Sequence, residues 1–350
     1  MFSRWFTEAG TLLARVAASP RARALLGIAV MIAVLWIAFG ALREILAGLR
    51  WSDVRADLAR VSTVRIACSV AFTIGSYVVL TGYDVVSLRI IGRSVGYGTA
   101  ALASFTSYIF SHNFGFAALT GGAARLRIYG RRGLSLGEVA QIMAMTGVTF
   151  WMGVMLLIGI GFVALPGTLA LGGWHASYPH QAAVGGLILA GLATYLVVLH
   201  RRAGRALRVF GWTLVLPSVA TAGVQFLLAA VDLMFATAAL FVLVPDLPLS
   251  AFPLVLMAYL LAFLSGLLAH APGGVGVFEA VLLLALPQVD RATLLAALLL
   301  FRVIYYLVPL AIGIVLFAAH ELYARAGGPI AAGRDAHEAI LLRRVRDGAA

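Results

Sequence analysis

Residues 98–124 read GTAALASFTSYIFSHNFGFAALTGGAA, and RLRIYGRR follows directly at 125–132. This stretch is long enough to cross a bilayer, since about 20 mostly apolar residues span the hydrocarbon core. It lies between two basic clusters, because Arg89 and Arg93 precede it. Basic clusters favour the cytoplasmic side of a membrane. We therefore predict that 98–124 enters the membrane and returns to the same side, as a re-entrant or broken helical element.

The whole chain has the composition of a membrane protein. Of its 350 residues, 62% are hydrophobic and 11% are charged, whereas soluble domains carry about 25% charged residues. Long apolar runs recur from end to end, which excludes a single anchor on a soluble body. We predict an all-α integral membrane protein with about eight membrane-spanning stretches. Besides 98–124, the predicted spans are 24–42, 66–88, 138–165, 183–199, 213–243, 251–270 and 292–318.

The chain divides into three predicted parts. A basic cytoplasmic tail covers 1–23, a transmembrane domain covers 24–323, and a polar basic tail covers 324–350. The apolar run 24–42 is longer than the apolar region of a typical signal peptide, and no clear cleavage site follows it. We therefore interpret this run as the first membrane-spanning helix.

The arginine clusters predict which loops face the cytoplasm. The positive-inside rule places the clusters 89–93, 125–132 and 201–208 there. The amphipathic segment 43–65 fits worst, because alternation of the spans puts its five arginines outside. The short apolar segment 277–290 must reach that same far side if the C-terminal tail is cytoplasmic. The sequence alone leaves the side of these two segments open.

The charged residues and the single cysteine exclude several classes of site. All 26 basic residues are arginines, and the formal net charge is +12. The lack of lysine excludes Schiff-base lysine chemistry and a lysine-dependent phosphate loop within these 350 residues. Cys68 is the only cysteine, which excludes an intramolecular disulfide and a cysteine-based metal cage. We predict no catalytic residues, no cofactor and no metal site. We also predict no bound nucleic acid, because positive charge in membrane proteins usually faces anionic headgroups.

Two glycine breaks with similar spacing lie in different halves of the chain. They read Tyr108-(6)-Gly115-(5)-Gly121-Gly122 and Tyr259-(6)-Gly266-(6)-Gly273-Gly274. Exposed backbone is costly in lipid, so broken helices occur only against protein or a water-filled cavity. A pair of such breaks is typical of a transport site near the middle of the membrane. The spacing is what an internal inverted repeat would produce, although two short matches can also arise by chance.

Charged residues follow both breaks. Arg125 and Arg127 follow the first break, and Glu279 follows the second. Arginine binds phosphate with two parallel hydrogen bonds, and glycine lets the backbone approach a ligand closely. We predict phosphate contacts from the two arginines and an ammonium contact from Glu279. We expect close backbone approach to the ligand at Gly121, Gly122, Gly273 and Gly274.

Simpler roles for these residues stay open at this point. The arginines beside the first break could only fix the membrane topology. Glu279 could be an ordinary acidic residue in the first turn of a helix, which the helix dipole favours. The Pro-Gly-Gly sequence at 272–274 could be a plain turn.

A polar helix face is predicted near the C-terminal end. Arg302, Tyr305 and Tyr306 are spaced i, i+3 and i+4, so they share a face of a helix. Charges at membrane depth are costly and usually functional. We expect this face to line the ligand path or to hold Glu279. The alternative is a buried ion pair that serves packing alone, with Asp84, Asp232 or Glu279 as the partner.

Asn113 is a further candidate for ligand binding, beside the first break. Its amide is also suited to capping a helix or to bonding between helices. The neighbouring His112 has no second ligand at metal-binding spacing, so we predict no metal there.

Three segments occur together in a characteristic order. They are SYIFSHNFGFAALTGGAARLRIYGRRGLSLGEV, HAPGGVGVFEAVLLLALP and LLLFRVIYYLVPLAIG. The chain thus resembles, over roughly residues 20–323, the transmembrane region of lysylphosphatidylglycerol synthase/flippases of the multiple peptide resistance factor type. This resemblance implies a multi-pass protein of the bacterial inner membrane. It also implies movement of aminoacylated phosphatidylglycerol to the outer leaflet and resistance to cationic antimicrobial peptides.

In that family the lysyltransferase is a separate C-terminal soluble domain, which these 350 residues do not contain. Lysyltransferase activity is therefore not expected of this chain, and its expected partners are an anionic or aminoacylated phospholipid and a lysyltransferase domain or subunit. Two alternatives remain: a non-transporting membrane anchor for that enzyme, or an intramembrane lipid-modifying transferase. The second would need an activated base, for which Asp84, His112 and Glu279 are the candidates. Small residues along the helices would also permit a homo-oligomer.

Overall fold

A computed structural model places most of the chain in a helical bundle. The residues that it describes are 50–114, 119–165, 170–171, 174–175, 178–201, 206–209, 212–269 and 272–325. The predicted span 24–42 and the predicted tail 1–23 lie outside these residues, as does the tail 324–350 beyond Arg325. The division into three parts therefore stays a prediction.

The described residues form helices joined by turns and two small hairpins of strands. The α-helices are α1 (Trp51–Arg60), α2 (Thr63–Ile90), α3 (Tyr97–Phe114), α4 (Thr120–Gly130), α5 (Leu136–Ala164), α6 (Tyr178–Arg201), α7 (Val219–Phe241), α8 (Phe252–Leu268), α9 (Val277–Ala285), α10 (Arg291–Phe301) and α11 (Val308–Arg325). Short 3-10 helices cover Leu249–Ala251 and Pro272–Gly274, and a π-helix covers Arg302–Leu307 between α10 and α11. Antiparallel pairs join β1 (Ala170–Leu171) to β2 (Trp174–His175) and β3 (Ala206–Val209) to β4 (Trp212–Val215).

Within the described part of the chain, six helical segments are long and apolar enough to cross a membrane. They are Thr63–Ile90, Leu136–Ala164, Pro179–Arg201, Val219–Phe241, Leu249–Leu268 and Arg291–Ala324. All six fall on predicted spans, which confirms the all-α membrane fold; the count of eight stays a prediction. The predicted span 213–243 starts too early, because β4 ends at Val215 and Ser218 caps α7 by accepting from the backbone N–H of Thr221.

Contacts at the two ends of α2 identify the loops that share a side. Beyond its C-terminal end, Arg93 Nε donates to Glu138 Oε1 of α5 at 2.5 Å. At its N-terminal end, Arg65 Nη1 donates to the carbonyls of Val242 and Val244 at 3.1 and 3.0 Å. These carbonyls follow the C-terminal end of α7, where the peptide dipoles favour a cation. Arg65 therefore lies on the side opposite to Arg93, as alternation of the spans predicts.

Helix α1 lies on the Arg65 side and packs against the start of α10. Val54 is buried in a cluster with Leu295 and Ala296. Thr293 Oγ1 of α10 donates to Asp57 Oδ2 of α1 at 2.9 Å. The amphipathic segment is thus attached through its apolar face, while the two arginines within α1 are exposed.

Two pairs of helices fold back on themselves as hairpins. Helix α3 packs against α4, and α8 packs against α9. At 1.5 Å per residue, the 11 residues of α4 and the 9 residues of α9 cover about 16 and 14 Å. Neither helix can cross a hydrocarbon core of about 30 Å. The stretch 98–124 is therefore a re-entrant pair of helices rather than one span, which confirms that part of the fold prediction.

The first hairpin, α3–α4, has its outer ends on the Arg93 side. Ala100 near the start of α3 and Tyr129 near the end of α4 share a buried cluster with Leu88 of α2. Both ends of the hairpin therefore lie at the end of the bundle where α2 terminates, on the side that the positive-inside rule assigns to the cytoplasm.

The second hairpin, α8–α9, has its outer ends on the opposite side. Val255 near the start of α8 and Leu286 just after α9 share a buried cluster with Val244. This cluster lies beside the carbonyls that Arg65 contacts, so 277–290 reaches the far side as required. The two hairpins enter from opposite sides, which is the arrangement that an inverted repeat would produce.

The packing of α5 on α7 yields a prediction about Gly153. A Cβ atom at Gly153 would collide with the Cβ of Ala229 and would lie 2.9 Å from its carbonyl carbon. We expect Gly153→Ala to lower the free energy of unfolding by about 1–3 kcal/mol, the usual cost of overpacking. Thermal unfolding in detergent measures this change. Gly147→Ala is the matched control on the same helix, because nothing lies within 4 Å of its added Cβ, and an equal loss in both variants would contradict the prediction.

Candidate functional site

The tips of the two hairpins meet at Arg302. Its Nε donates to Glu279 Oε1 at 2.7 Å, and its Nη1 donates to the carbonyl of Gly273. The backbone carbonyls of His112 and Asn113, at the end of α3, lie 3.6 and 3.7 Å from where a Cβ of Gly273 would stand. The structure thus brings the end of α3, which precedes the first glycine break, and the second glycine break together at Arg302, the first residue of the π-helix.

The second break has a backbone that glycine favours. Gly273, Gly274 and Gly276 have φ values of 62°, 64° and 84°, in the left-handed region where side chains are disfavoured. Gly266 of α8 approaches this turn closely, because a Cβ added to it would lie 3.1 Å from the Cα of Gly274. The break is therefore a turn in which the backbone packs closely against α8, and it is more than a plain turn.

Glu279 has two roles in this geometry. Its Oε2 accepts from the backbone N–H of Gly276 at 2.8 Å, which caps the start of α9. Its Oε1 accepts from Arg302, and both side chains are nearly buried. The predicted pairing of Arg302 with Glu279 is thus present, together with the first-turn role that was left open.

The π-helix at 302–307 exposes backbone oxygens to its neighbours. A π-helix widens the turn and is frequent at functional sites. The carbonyl of Tyr305 accepts from Tyr77 of α2 at 3.0 Å, and that of Tyr306 accepts from Asn113 Nδ2 at 3.5 Å. Asn113 also donates to its own helix at Ile109, at 2.9 Å. The predicted helix-bonding role of Asn113 is therefore present at the hairpin tip.

The side chains of the predicted polar face, Arg302, Tyr305 and Tyr306, do not all contact the same neighbours. The guanidinium carbon of Arg302 lies 4.8 Å from the ring centre of Tyr306 and 5.2 Å from that of Phe278. The hydroxyl of Tyr305 instead lies 2.7 Å from Ser76 Oγ on α2. The wider π turn separates side chains that an α-helix would place together.

Two nitrogen atoms at the hairpin tips are left without a partner in the described part of the chain. Arg302 Nη2 and His112 Nδ1 are both buried atoms with no hydrogen bond there. The imidazole of His112 lies 6.4 Å from the ring of Tyr306, which in turn contacts Arg302. Unpaired buried polar atoms are rare and call for a physical explanation. A ligand oxygen bound beside Arg302 would satisfy its Nη2.

Arg125 lies in a second, fully occupied cluster. Its Nε and Nη2 donate to both carboxylate oxygens of Asp84 at 3.1 and 2.8 Å, and its Nη1 donates to Ser107 Oγ at 2.6 Å. Tyr129 also donates to Asp84, at 2.7 Å, and the ring centre of Tyr108 lies 4.9 Å from the guanidinium carbon. The side chains of Arg125 and Asp84 are 5% and 0% exposed. This ion pair joins α4 to α2 across the base of the first hairpin.

Gly121 lets α4 pack directly on α3. A Cβ at this position would collide with Ser111 Oγ and would stand 2.6 and 2.7 Å from Ser107 Oγ and the carbonyl of Ser107. Gly122 is buried beside it. Gly121 therefore permits a close contact between α3 and α4.

Arg127 points away from this cluster. Its side chain is 55% exposed and pairs with Glu321 Oε2 of α11 at 3.0 Å, and Arg131 pairs with the same oxygen at 2.8 Å. Residues at i and i+2 do not face each other on a helix, so Arg125 and Arg127 cannot contact one phosphate from α4. Their predicted phosphate contacts stay predictions, and the structure does not bring the two side chains together.

Sequence reasoning missed a buried polar cluster around Asp232. Asp232 was expected as an ionisable residue at membrane depth and a possible partner for Arg302, whereas Ser76 and Tyr83 of α2 are its partners in the structure. Hydroxyl residues in an apolar helix give no periodic signal, and only the isolated acid in the middle of α7 pointed to this place.

Comparisons with known proteins agree with the fold. A family model described as "Lysylphosphatidylglycerol synthase TM region" matches residues 24–313. "Uncharacterized protein slr0712" of Synechocystis is 32% identical over 288 residues, covering 82% of this chain and 88% of that protein. "Inner membrane protein YbhN" of Escherichia coli is 30% identical over 279 residues, covering 79% and 86%. "Phosphatidylglycerol lysyltransferase" of Staphylococcus haemolyticus is 44% identical over 68 residues, covering 19% and 8%.

Proposed function

The chain belongs to the lysylphosphatidylglycerol synthase transmembrane-region family, and we propose that it moves an aminoacylated phosphatidylglycerol between the leaflets of a bacterial inner membrane. The observation that carries this proposal is the meeting of two oppositely inserted hairpins at Arg302, whose Nη2 has no partner in the described residues. A polar site at the tips of two broken elements suits a headgroup that passes between the leaflets.

The charges at the hairpin tips complement an aminoacylated headgroup. A phosphate oxygen would accept from Arg302 Nη2, since guanidinium binds phosphate strongly and with defined direction. An ammonium group would donate to Glu279, whose two oxygens have more acceptor positions than the bonds from Arg302 and Gly276 occupy. The left-handed glycines at 273 and 274 would allow the headgroup to pass close to the backbone.

In this proposal Arg302 takes the phosphate contact that was first expected of Arg125. The guanidinium of Arg125 already donates to Asp84 and Ser107, and a phosphate would have to displace one of them. We therefore assign Arg125 the role of holding the first hairpin to α2. A variant that replaces both Arg125 and Asp84 tests this assignment, because it removes both charges of the ion pair.

The lysyl headgroup is the most specific part of the proposal. Its support is the family, together with the short match to a protein named phosphatidylglycerol lysyltransferase. A lysyl lipid in the outer leaflet would lower the negative surface potential that attracts cationic peptides. Resistance to such peptides is the expected consequence in cells, with a lysyltransferase from another chain as the supplier of the lipid.

A leaflet-accessibility assay tests the proposal. Purified protein in liposomes should equilibrate fluorescent lysylphosphatidylglycerol at least about tenfold faster than protein-free liposomes, a change equal to ~1.4 kcal/mol in the barrier. The same protein should act more slowly on phosphatidylglycerol, which lacks the ammonium groups. Equal rates with and without protein, for all lipids tried, would contradict the proposal and favour a non-transporting anchor.

A further inference from the structure

Asp232 is a buried carboxyl group near the middle of the membrane-spanning helix α7. An acidic group at this depth is costly and usually functional. The two other buried acids in the described part of the chain, Asp84 and Glu279, are each paired with an arginine. Asp232 has no salt bridge within the described ranges, and its partners there are hydroxyl groups.

Three hydroxyl groups form a short chain through this carboxyl group. Ser76 Oγ lies 2.5 Å from Asp232 Oδ1, and Tyr83 donates to Oδ2 at 3.2 Å. The hydroxyl of Tyr305 lies 2.7 Å from Ser76 Oγ, and either of the two can be the donor. A hydroxyl can both donate and accept by rotating its hydrogen atom.

This chain can accommodate Asp232 in either protonation state. When the carboxylate is ionised, Tyr305 donates to Ser76 and Ser76 donates to Asp232. When it is protonated, Asp232 donates to Ser76 and Ser76 donates to Tyr305. Tyr83 donates to the other oxygen in both states. The change consists of the gain or loss of the carboxyl proton and rotation of the hydroxyl hydrogens of Ser76 and Tyr305, with the hydrogen of Tyr305 turning away from Ser76 in the protonated state.

The titratable groups around Asp232 are phenols, and the charged groups near them are already paired. The phenols are Tyr77 and Tyr83 on α2, Tyr108 on α3, Tyr259 on α8 and Tyr305 on the π-helix. The charged pairs are Asp84 with Arg125 and Glu279 with Arg302.

The titratable groups of the other helices that pack against α7 lie away from Asp232. Tyr195 of α6 packs on Phe226, six residues before Asp232. Glu138 of α5 contacts Arg93 at the cytoplasmic end. Arg291 of α10 stands at the opposite end of the bundle, at the start of its helix. Among the described residues, Asp232 is thus an acid without a cation in a low-dielectric setting.

The π-helix connects this acid to the site at the hairpin tips. Tyr305, which reaches Ser76, is three residues from Arg302 in the same π-helix. A cation bound at the tips would therefore interact with Asp232 through protein of low dielectric, where charges act strongly on each other.

We propose that Asp232 is a proton-binding site that exchanges its proton for the cationic headgroup of the transported lipid. With the hairpin tips empty, Asp232 holds a proton and is neutral. When an ammonium group enters, the carboxyl O–H bond breaks, the proton passes to water, and the carboxylate left behind compensates the new positive charge. Proton and lipid then occupy the protein in turn, which couples their movements. This inference rests on the proposed function.

Proton release upon lipid binding tests the exchange. Protein in detergent, in weakly buffered solution with a pH indicator, should release up to one proton per molecule when short-chain lysylphosphatidylglycerol is added. Phosphatidylglycerol should cause no release. Asp232→Asn should abolish the release, and the exposed carboxylate variant Asp53→Asn should keep it. Release by Asp232→Asn equal to that of the wild type would overturn the proposal, as would release caused by sodium ions instead of the lipid.

Infrared spectroscopy tests the proton site without any lipid. The wild type should show a protonated carboxyl band that titrates with pH and is missing in Asp232→Asn, an isosteric variant that mimics the neutral acid. In Ser76→Ala the midpoint should move to higher pH, because the ionised form loses a donor. A band absent at every pH would overturn the site, and a titrating band without lipid-dependent release would overturn the exchange. A failed leaflet assay with a titrating band would refute the proposed function while leaving the proton site in place.

Discussion

Replacement of Asp84 by asparagine is expected to lower the free energy of unfolding by about 3–5 kcal/mol, because it leaves Arg125 charged and unpaired inside the protein. The guanidinium of Arg125 is almost completely buried and directs two of its nitrogens at the carboxylate of Asp84. Asparagine offers one acceptor oxygen and no charge. Tyr129 would lose its charged acceptor at the same time.

A double-mutant cycle separates this loss from general damage. Arg125→Met alone leaves a buried carboxylate and should be similarly destabilising, whereas Asp84→Asn combined with Arg125→Met removes both charges and should recover most of the loss. Denaturant unfolding in detergent micelles gives the four free energies. Losses that simply add in the double variant would contradict the proposed role of the pair.

The same double variant decides the role of Arg125 in transport. If the pair only holds α4 on α2, the folded double variant should still equilibrate lysylphosphatidylglycerol between leaflets. If Arg125 binds the phosphate, the double variant should be stable and inactive. Leaflet equilibration by the double variant thus distinguishes phosphate binding by Arg125, as predicted from the sequence, from a role in holding α4 on α2.

Replacement of Arg302 by lysine is expected to slow leaflet equilibration by about 10–100-fold, because lysine keeps the charge and loses the planar fork. The wild-type guanidinium contacts Glu279 and the carbonyl of Gly273 while Nη2 stays available. The ammonium group of lysine, at the end of a flexible chain, cannot donate at once to Glu279, to the carbonyl of Gly273 and to a phosphate in the geometry that the guanidinium has. Loss of one charge-assisted hydrogen bond, at about 1.5–3 kcal/mol, sets this magnitude.

Two comparisons make this result interpretable. Arg60→Gln is a control for a lost arginine on the far side of the bundle, since that side chain is 81% exposed and contacts only Asp57 among the described residues; its rate should match that of the wild type. Unfolding measurements on Arg302→Lys show whether the protein is still folded. A folded Arg302→Lys protein with the wild-type rate would exclude directional phosphate binding by Arg302.

The sequence predicted the first hairpin well because charge constrains both of its ends. Basic residues before and after 98–124 require the chain to return to its starting side, and the structure has two helices in this stretch, one ending at Phe114 and the next beginning at Thr120. The second hairpin was harder to predict. Its α8 is long enough to resemble a full span, and only the shortness of α9 shows that the chain turns back.

The partners of the buried charges could not be ranked from the sequence. Arg302 had three acids at comparable depth as candidates, and the choice of Glu279 depends on how α9 packs against the π-helix. The π-helix itself has no residue pattern that distinguishes it from an α-helix. The separation of Arg125 from Arg127, by contrast, follows from helix geometry alone, since side chains two residues apart diverge.

The uncompensated acid in α7 bears on the electrical work of transport. A lysyl headgroup has two ammonium groups and one phosphate, so it moves one net positive charge outward against an inside-negative potential. That movement alone costs about 2.3 kcal/mol for every 100 mV. A proton carried inward on Asp232 for each lipid carried outward would cancel the charge, so the membrane voltage would do no work on the cycle, and the pH difference would be the only part of the proton gradient that drives it.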